Sequence, residues 1–194
     1  MEHIKILYYL FGIAASAVAI WRFILWKRER SKPSPRVLSM TRDISEKDFT
    51  KGVSWLKETI MGEYNPTLIL AISSGGAAVG GILSKHLNIP LCTVARLHPR
   101  LQETVPKRSE MVSFPPNEII KGEKVLLVDD IVRSGQTLQA SHEQTFKASP
   151  SEIKSAALLL AGEHPLEKPD FYIYEAKRPG LRMFYDIAGD SEER

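Results

Sequence analysis

The sequence predicts an α/β domain built on a parallel sheet and preceded by one transmembrane helix. Three observations carry this reading: an apolar stretch of spanning length near the N-terminus, short apolar runs of the kind that form strands buried on both faces, and the alternation of those runs with helical segments. With 194 residues, 43% of them hydrophobic, the chain has room for one domain with a sizeable core and an appendage.

The appendage comes first. Ile4 to Trp26 is dominated by Ile, Leu, Ala, Val and aromatic residues, and as a helix it would cover about 35 Å against a hydrocarbon core of ~30 Å. Tyr8, Tyr9, Trp21 and Trp26 fall where interfacial aromatics sit, and Lys5 and Arg22 are near enough to the ends to snorkel. The basic cluster Lys27-Arg28-Glu29-Arg30 follows the apolar run, the wrong order for a cleaved signal. By the positive-inside rule it gives a single-pass membrane protein with its C-terminal domain cytoplasmic. Residues 1–30 therefore read as an anchor in membrane lipid, 31–36 as a proline-containing linker and 37–194 as the domain. The net charge of +3 belongs to the anchor: residues 1–36 hold seven Lys/Arg against two Glu, and residues 37–194 are slightly acidic. No basic stripe with interleaved aromatics marks a nucleic-acid partner.

Within the domain, Ser45 precedes a helical pattern of Phe49, Val53, Leu56 and Ile60 and reads as its N-cap, with the helix ending near Met61-Gly62. Thr67 to Ile72 reads as a buried strand, Ser73 to Gly76 as a loop, Ala77 to Leu87 as a helix and Leu91 to Ala95 as a strand. The unit repeats: Lys124 to Val128 as strand, Asp129 to Gly135 as loop, Gln136 to Lys147 as helix, Lys154 to Ala161 as strand. Further strands are expected at Phe171 to Glu175 and Met183 to Ile187. The long segment from Leu97 to Gly122 contains four prolines and reads as a functional or mobile loop.

Ligands of open α/β sheets bind beyond the carboxyl ends of the strands, which directs attention to two loops. The strand ending at Val128 delivers Asp129 and Asp130, and Arg133-Ser134-Gly135-Gln136-Thr137 then opens a helix. Backbone N–H groups at a helix start, the hydroxyls of Ser134 and Thr137, and a glycine permitting close approach make a phosphate cradle. Neighbouring carboxylates suit ribose hydroxyls or a divalent cation, so a sugar phosphate satisfies both halves.

An apolar strand, Asp-Asp, three residues and Ser-Gly-X-Thr resembles the phosphoribosyl diphosphate (PRPP) motif of type I phosphoribosyltransferases, closest to the xanthine, guanine and hypoxanthine branch. The resemblance extends over roughly Arg36 to Asp190 and implies a Rossmann-like phosphoribosyltransferase domain. It implies an enzyme that transfers a 5-phosphoribosyl group from PRPP to a purine-like base with release of pyrophosphate, using Mg²⁺, and a homo-oligomer. By the same resemblance Asp129 and Asp130 meet the ribose hydroxyls and, through PRPP, the metal. Arg133 to Thr137 hold the 5′-phosphate, and Ser73, Ser74, Gly75 and Gly76 form the pyrophosphate loop, often strained or cis in the family. Leu97–Gly122 becomes a flexible flap, and Phe184, Tyr185 and Asp186 fall where the family places a hood over the base. Two positions depart from the pattern: Arg133 stands where the purine-salvage branch has an Asp, and Ser74 where an Arg or Lys is usual. The alternative they raise is a PRPP or nucleotide sensor at the membrane that keeps the ligand loops and lacks turnover.

Other reactive residue types read as structural. Cys92, the one cysteine, lies in an apolar run and reads as a small buried hydrophobe; His86, His98, His142 and His164 lack metal-ligand spacing.

Overall fold

In the computed structural model the described residues are 37–96, 111–176 and 180–189. The segment Ile4–Trp26, its basic flank and the linker lie outside them, as does the 97–110 part of the expected flap. Among the described residues no helix is long and apolar enough to cross a membrane.

Seven strands form one sheet: β1 (Leu38–Met40), β2 (Leu68–Ile72), β3 (Leu91–Arg96), β4 (Met111–Ser113), β5 (Lys124–Val132), β6 (Glu152–Leu160) and β7 (Phe171–Ala176). Their order is β1-β7-β6-β5-β2-β3-β4, parallel throughout except for β4, which pairs antiparallel with β3. The helices are α1 (Glu46–Glu63), α2 (Ser73–Leu87), α3 (Asn117–Ile120), α4 (Gln136–Lys147) and α5 (Phe184–Gly189).

Strand pleating divides the core into two layers. On β2, Ile69 and Ala71 face one cluster with Phe49, Val53, Leu56 and Ile60 of α1 and Val79 and Leu83 of α2; Leu68, Leu70 and Ile72 face another with Ile120 and with Leu138 of α4. All five β2 residues are buried, which explains why its sequence is continuously apolar rather than alternating. Three-residue strands at both edges leave little unpaired backbone.

The start of α1 is built as expected. Ser45, extended at φ −72° and ψ 163°, accepts the Asp48 N–H at 3.2 Å, and Asp48 Oδ2 accepts the Ser45 N–H at 3.3 Å, a reciprocal capping box. At the other end Tyr64 donates from its hydroxyl to the Val125 carbonyl at 3.0 Å, fastening α1 to β5.

Several boundaries differ from the sequence reading. The expected loop at Ser73–Gly76 is the first turn of α2, and β5 runs on through Val132, so Asp129 and Asp130 are strand residues and the loop shrinks to Arg133–Gly135. β5 is longer because β6 keeps pairing with it as far as Val132↔Leu160, and the first loop is absent because β2 turns directly into its helix at Ser73. The expected strand Met183–Ile187 is a single parallel bridge, Met183↔Ile44, followed by α5. The described part of the segment read as a loop, residues 111–122, carries β4 and α3. Cys92 is partly rather than fully buried, on the strand next to the antiparallel edge.

Replacing Ser45 by Ala removes one half of the capping box. We expect this to destabilise the protein by about 1 kcal/mol in urea unfolding, with an unchanged denaturant slope.

Candidate active site

The strand order places a topological switch point between β2 and β5. The connection from β2 through α2 leads to β3 on one side, and that from β5 through α4 leads to β6 on the other. The last β2–β5 pair is Ala71↔Val128; beyond it the strands part, α2 beginning at Ser73 and α4 at Gln136 after β5 has run on to Val132. Neither α2 nor α4 has a side-chain N-cap or an acidic residue in its first turn. Both helix N-termini thus lie at neighbouring strand ends, where their dipoles favour an anion.

Gly135 caps α4 from the left-handed region, φ 73°, and a Cβ there would press on the backbone of Leu166 and Glu167. The segment after β6 supports this turn: Leu166 N–H donates to the Ser134 carbonyl at 2.8 Å and Ala161 N–H to the Val132 carbonyl at 2.8 Å. His142 on α4 lies 2.6 Å from the Glu167 carboxylate, so this histidine braces the Arg133–Gly135 turn. Nothing in the sequence spacing of His142 and Glu167 announces that pair, which only the packing of the β6–β7 loop creates.

Asp129, Arg133, Ser134, Gly135, Thr137 and Leu138 line a depression of about 150 Å³. Gln136 is exposed beside it, its N–H 3.4 Å from Ser134 Oγ. Asp130, one residue along the pleat, points the other way. Its carboxyl abuts Gly75, where any Cβ would overlap it, and accepts the Tyr185 hydroxyl. Gly76 sits against the Val128 carbonyl in the same way. The glycines expected to serve a pyrophosphate loop therefore also seat the first turn of α2 on β5. Ser74 is exposed at that turn, and the described peptides are all trans.

The hood residues take three different positions. Phe184 packs edge-on against Phe49, with centroids 5.6 Å apart; Tyr185 reaches Asp130; Asp186 accepts the Met183 N–H at 3.3 Å and is exposed. Arg133 is exposed, and its Nη2 donates to the Leu181 carbonyl at 3.2 Å.

Electrostatically the pair of carboxylates is costly. Asp129 keeps some solvent contact but is densely surrounded; burial first, then the charge of Asp130, hold its carboxyl well above the usual carboxylate range, against a smaller downward pull from Arg133. Burial and the bond to Asp130 likewise push the Tyr185 phenol well up, so it is a protonated donor.

Residues 43–185 match the phosphoribosyl transferase domain family. No curated protein matches the chain at the sequence level. Among solved structures, the chain resembles a purine phosphoribosyltransferase from Pyrococcus horikoshii, at 23% identity and a TM-score of 0.60 over 77% of this chain and 94% of that one. It also resembles a xanthine-guanine-hypoxanthine phosphoribosyltransferase from Helicobacter pylori, at 17% identity and 0.61 over 79% and 99%, and a hypothetical protein from Neisseria gonorrhoeae with bound ppGpp, at 20% and 0.59 over 79% and 94%. At these identities the likeness is one of fold. The chain belongs to the phosphoribosyl transferase domain family. It is accordingly a phosphoribosyltransferase, whose phosphoribosyl donor is PRPP.

A carboxyl with a raised pKa in the folded state opposes folding once it ionises. The penalty is absent below the ordinary carboxylate pKa of about 4 and grows as pH rises through the elevated value. Asp129→Asn should therefore melt above wild type at pH 8, and the two melting temperatures should converge toward about pH 4. Thermal scans across that range check this.

Proposed function

We propose that this enzyme transfers the 5-phosphoribosyl group of PRPP to a purine-like base, from a domain anchored by Ile4–Trp26 on the cytoplasmic face of a membrane. The observation that carries the ligand assignment is the pairing of two uncapped helix starts, α2 and α4, on either side of a strand that presents Asp129 and Asp130. The α4 start and Ser134 to Thr137 suit the 5′-phosphate, and Ser73 to Gly76 at the α2 start suit the diphosphate. Asp129 and Asp130 suit the ribose hydroxyls between them.

In the reaction a base nitrogen bonds to ribose C1 while the C1–oxygen bond to pyrophosphate breaks, and pyrophosphate leaves with the electron pair. The proton displaced from the base nitrogen passes to solvent, since Arg133 offers no acceptor where a carboxylate is usual. The chain's contribution is to fix both phosphate ends and the ribose, and its backbone dipoles favour the leaving charge.

Among the described residues no three His, Cys, Asp or Glu side chains gather as a metal cage, and Asp129 and Asp130 leave the strand on opposite faces. That donor set fits a Mg²⁺ ion held chiefly by PRPP oxygens. When bound, the ion would stabilise the departing pyrophosphate.

Arg133 favours a second reading, the sensor. With its guanidinium on the Leu181 carbonyl, it joins the phosphate turn to the C-terminal segment, as a ligand-responsive latch would. One assay separates the two: pyrophosphate release from PRPP and Mg²⁺ by the purified full chain, across purine and pyrimidine bases. We expect base-dependent release, reduced at least ~10²-fold by Asp129→Asn/Asp130→Asn, with Arg133→Asp changing the ranking of bases. Binding without release would favour the sensor, and no binding would end both readings. Vesicle flotation of the full chain against one starting at Pro33 tests the anchor, which predicts flotation only with residues 1–32 present.

A further inference from the structure

An aspartate at a strand end keeps two side-chain torsions and offers a sugar hydroxyl a well-placed acceptor in only some of its rotamers. Asp130 has both carboxylate oxygens engaged: Oδ1 accepts the Ile131 N–H at 2.8 Å, and Oδ2 accepts the Tyr185 hydroxyl. Each oxygen has two acceptor directions, so Oδ2 can receive a second donor while Tyr185 stays in place.

Tyr185 is itself fixed. Its ring meets Phe49 edge-on at 6.1 Å and Phe184 at 5.1 Å. The segment that carries it is tied down at three points: Ile44 N–H to the Arg182 carbonyl at 2.9 Å, Arg182 N–H to Asp43 Oδ1 at 2.9 Å, and Arg133 to the Leu181 carbonyl. Leu181 and Met183 are fully buried beside these bonds. On the opposite wall Gly75 leaves the carboxyl just the space it occupies.

We propose that Tyr185 is a positioning residue for the donor substrate: its hydroxyl holds the Asp130 carboxylate in the orientation that receives a ribose hydroxyl of PRPP, rather than its ring covering the base. The inference rests on the reading of PRPP as the ligand. It assigns to α5 a task in binding the sugar. Binding of the ribose then depends on a contact made by the last described helix, 55 residues along the chain from its partner.

An occluding tyrosine, displaced by the ligand, would have the opposite signature. Tyr185→Phe deletes the hydroxyl and keeps the ring that packs on Phe49 and Phe184. If the hydroxyl positions Asp130, the full-length variant in detergent should bind PRPP–Mg²⁺ about tenfold more weakly by calorimetry and show a similar rise in KM for PRPP. Its kcat and its KM for the base should stay within about twofold, because the contact serves ground and transition states alike. In a double-mutant cycle Tyr185→Phe should add little to Asp130→Asn. Unchanged or tighter PRPP binding in Tyr185→Phe overturns the proposal, as does full additivity with Asp130→Asn. A rise in both KM values with a fall in kcat overturns it too, in favour of general loosening. If wild type does not bind PRPP, the ligand reading falls and takes the inference with it; if wild type binds and Tyr185→Phe equals it, only the inference falls.

Discussion

β5 is buried on both faces from Val125 to Val128, and at Val128 it loses one neighbour, because β2 turns away into α2. Only β6 holds the strand over its last residues, through Val132↔Leu160. Asp129 and Asp130 thus leave the core as strand residues with a fixed pleat, flanked on one side by a ladder and on the other by the crevice. The pleat decides their division of labour: Asp129 faces the depression at the start of α4, and Asp130 faces the start of α2. Had β5 ended at Val128, both carboxylates would sit on a flexible loop, free to seek water.

This arrangement is unfavourable without a ligand. Adjacent carboxylates repel, burial penalises the ionised form of Asp129, and Arg133 offsets only part of the cost. The helix starts nearby have the opposite polarity, a dipole end with no acidic residue in the first turn that favours anions. A ligand that brings hydroxyl donors to the carboxylates and phosphate oxygens to the helix starts relieves both at once.

What the sequence made legible follows the same physics. The N-cap at Ser45, the helix Gln136–Lys147 and the buried strands were readable because their signals are local: a cap residue, a helical period, an apolar run. The turn that opens α4 was readable because a glycine, required by its left-handed geometry, stands at Gly135 just ahead of the helical pattern. The extent of β5 was not, since its final residues are strand only because β6 pairs with them. β1, β4 and α3 were missed as three- and four-residue elements without a period of their own. The Met183–Ile187 segment looked like a strand from its apolar and aromatic content, yet Met183 finds one partner, Ile44, and the chain then coils into α5. Tyr185 was singled out as a base-facing aromatic; its hydroxyl partner lies far off in sequence, and no periodicity points to it.

The two ends of the domain meet at this site. Asp43 and Ile44, just ahead of α1, bind the backbone of Arg182, and three residues later Tyr185 reaches Asp130. Tyr174 of β7 also donates to the Asp48 carbonyl at 2.8 Å, and burial, with the charge of Asp48, pushes its phenol up to about 12, so this link stays protonated as well. β1 pairs with β7 beside these bonds, and the carboxylate that β5 presents in the middle of the sheet is reached from the same C-terminal segment. Local unfolding at either terminus of the domain would therefore reach Asp130 through Tyr185, whereas Asp129 sits on β5 opposite Ala157 of β6. The two carboxylates thus differ in what surrounds them: Asp129 lines the depression beside the turn that opens α4, whereas Asp130 is held by a side chain from the far end of the domain.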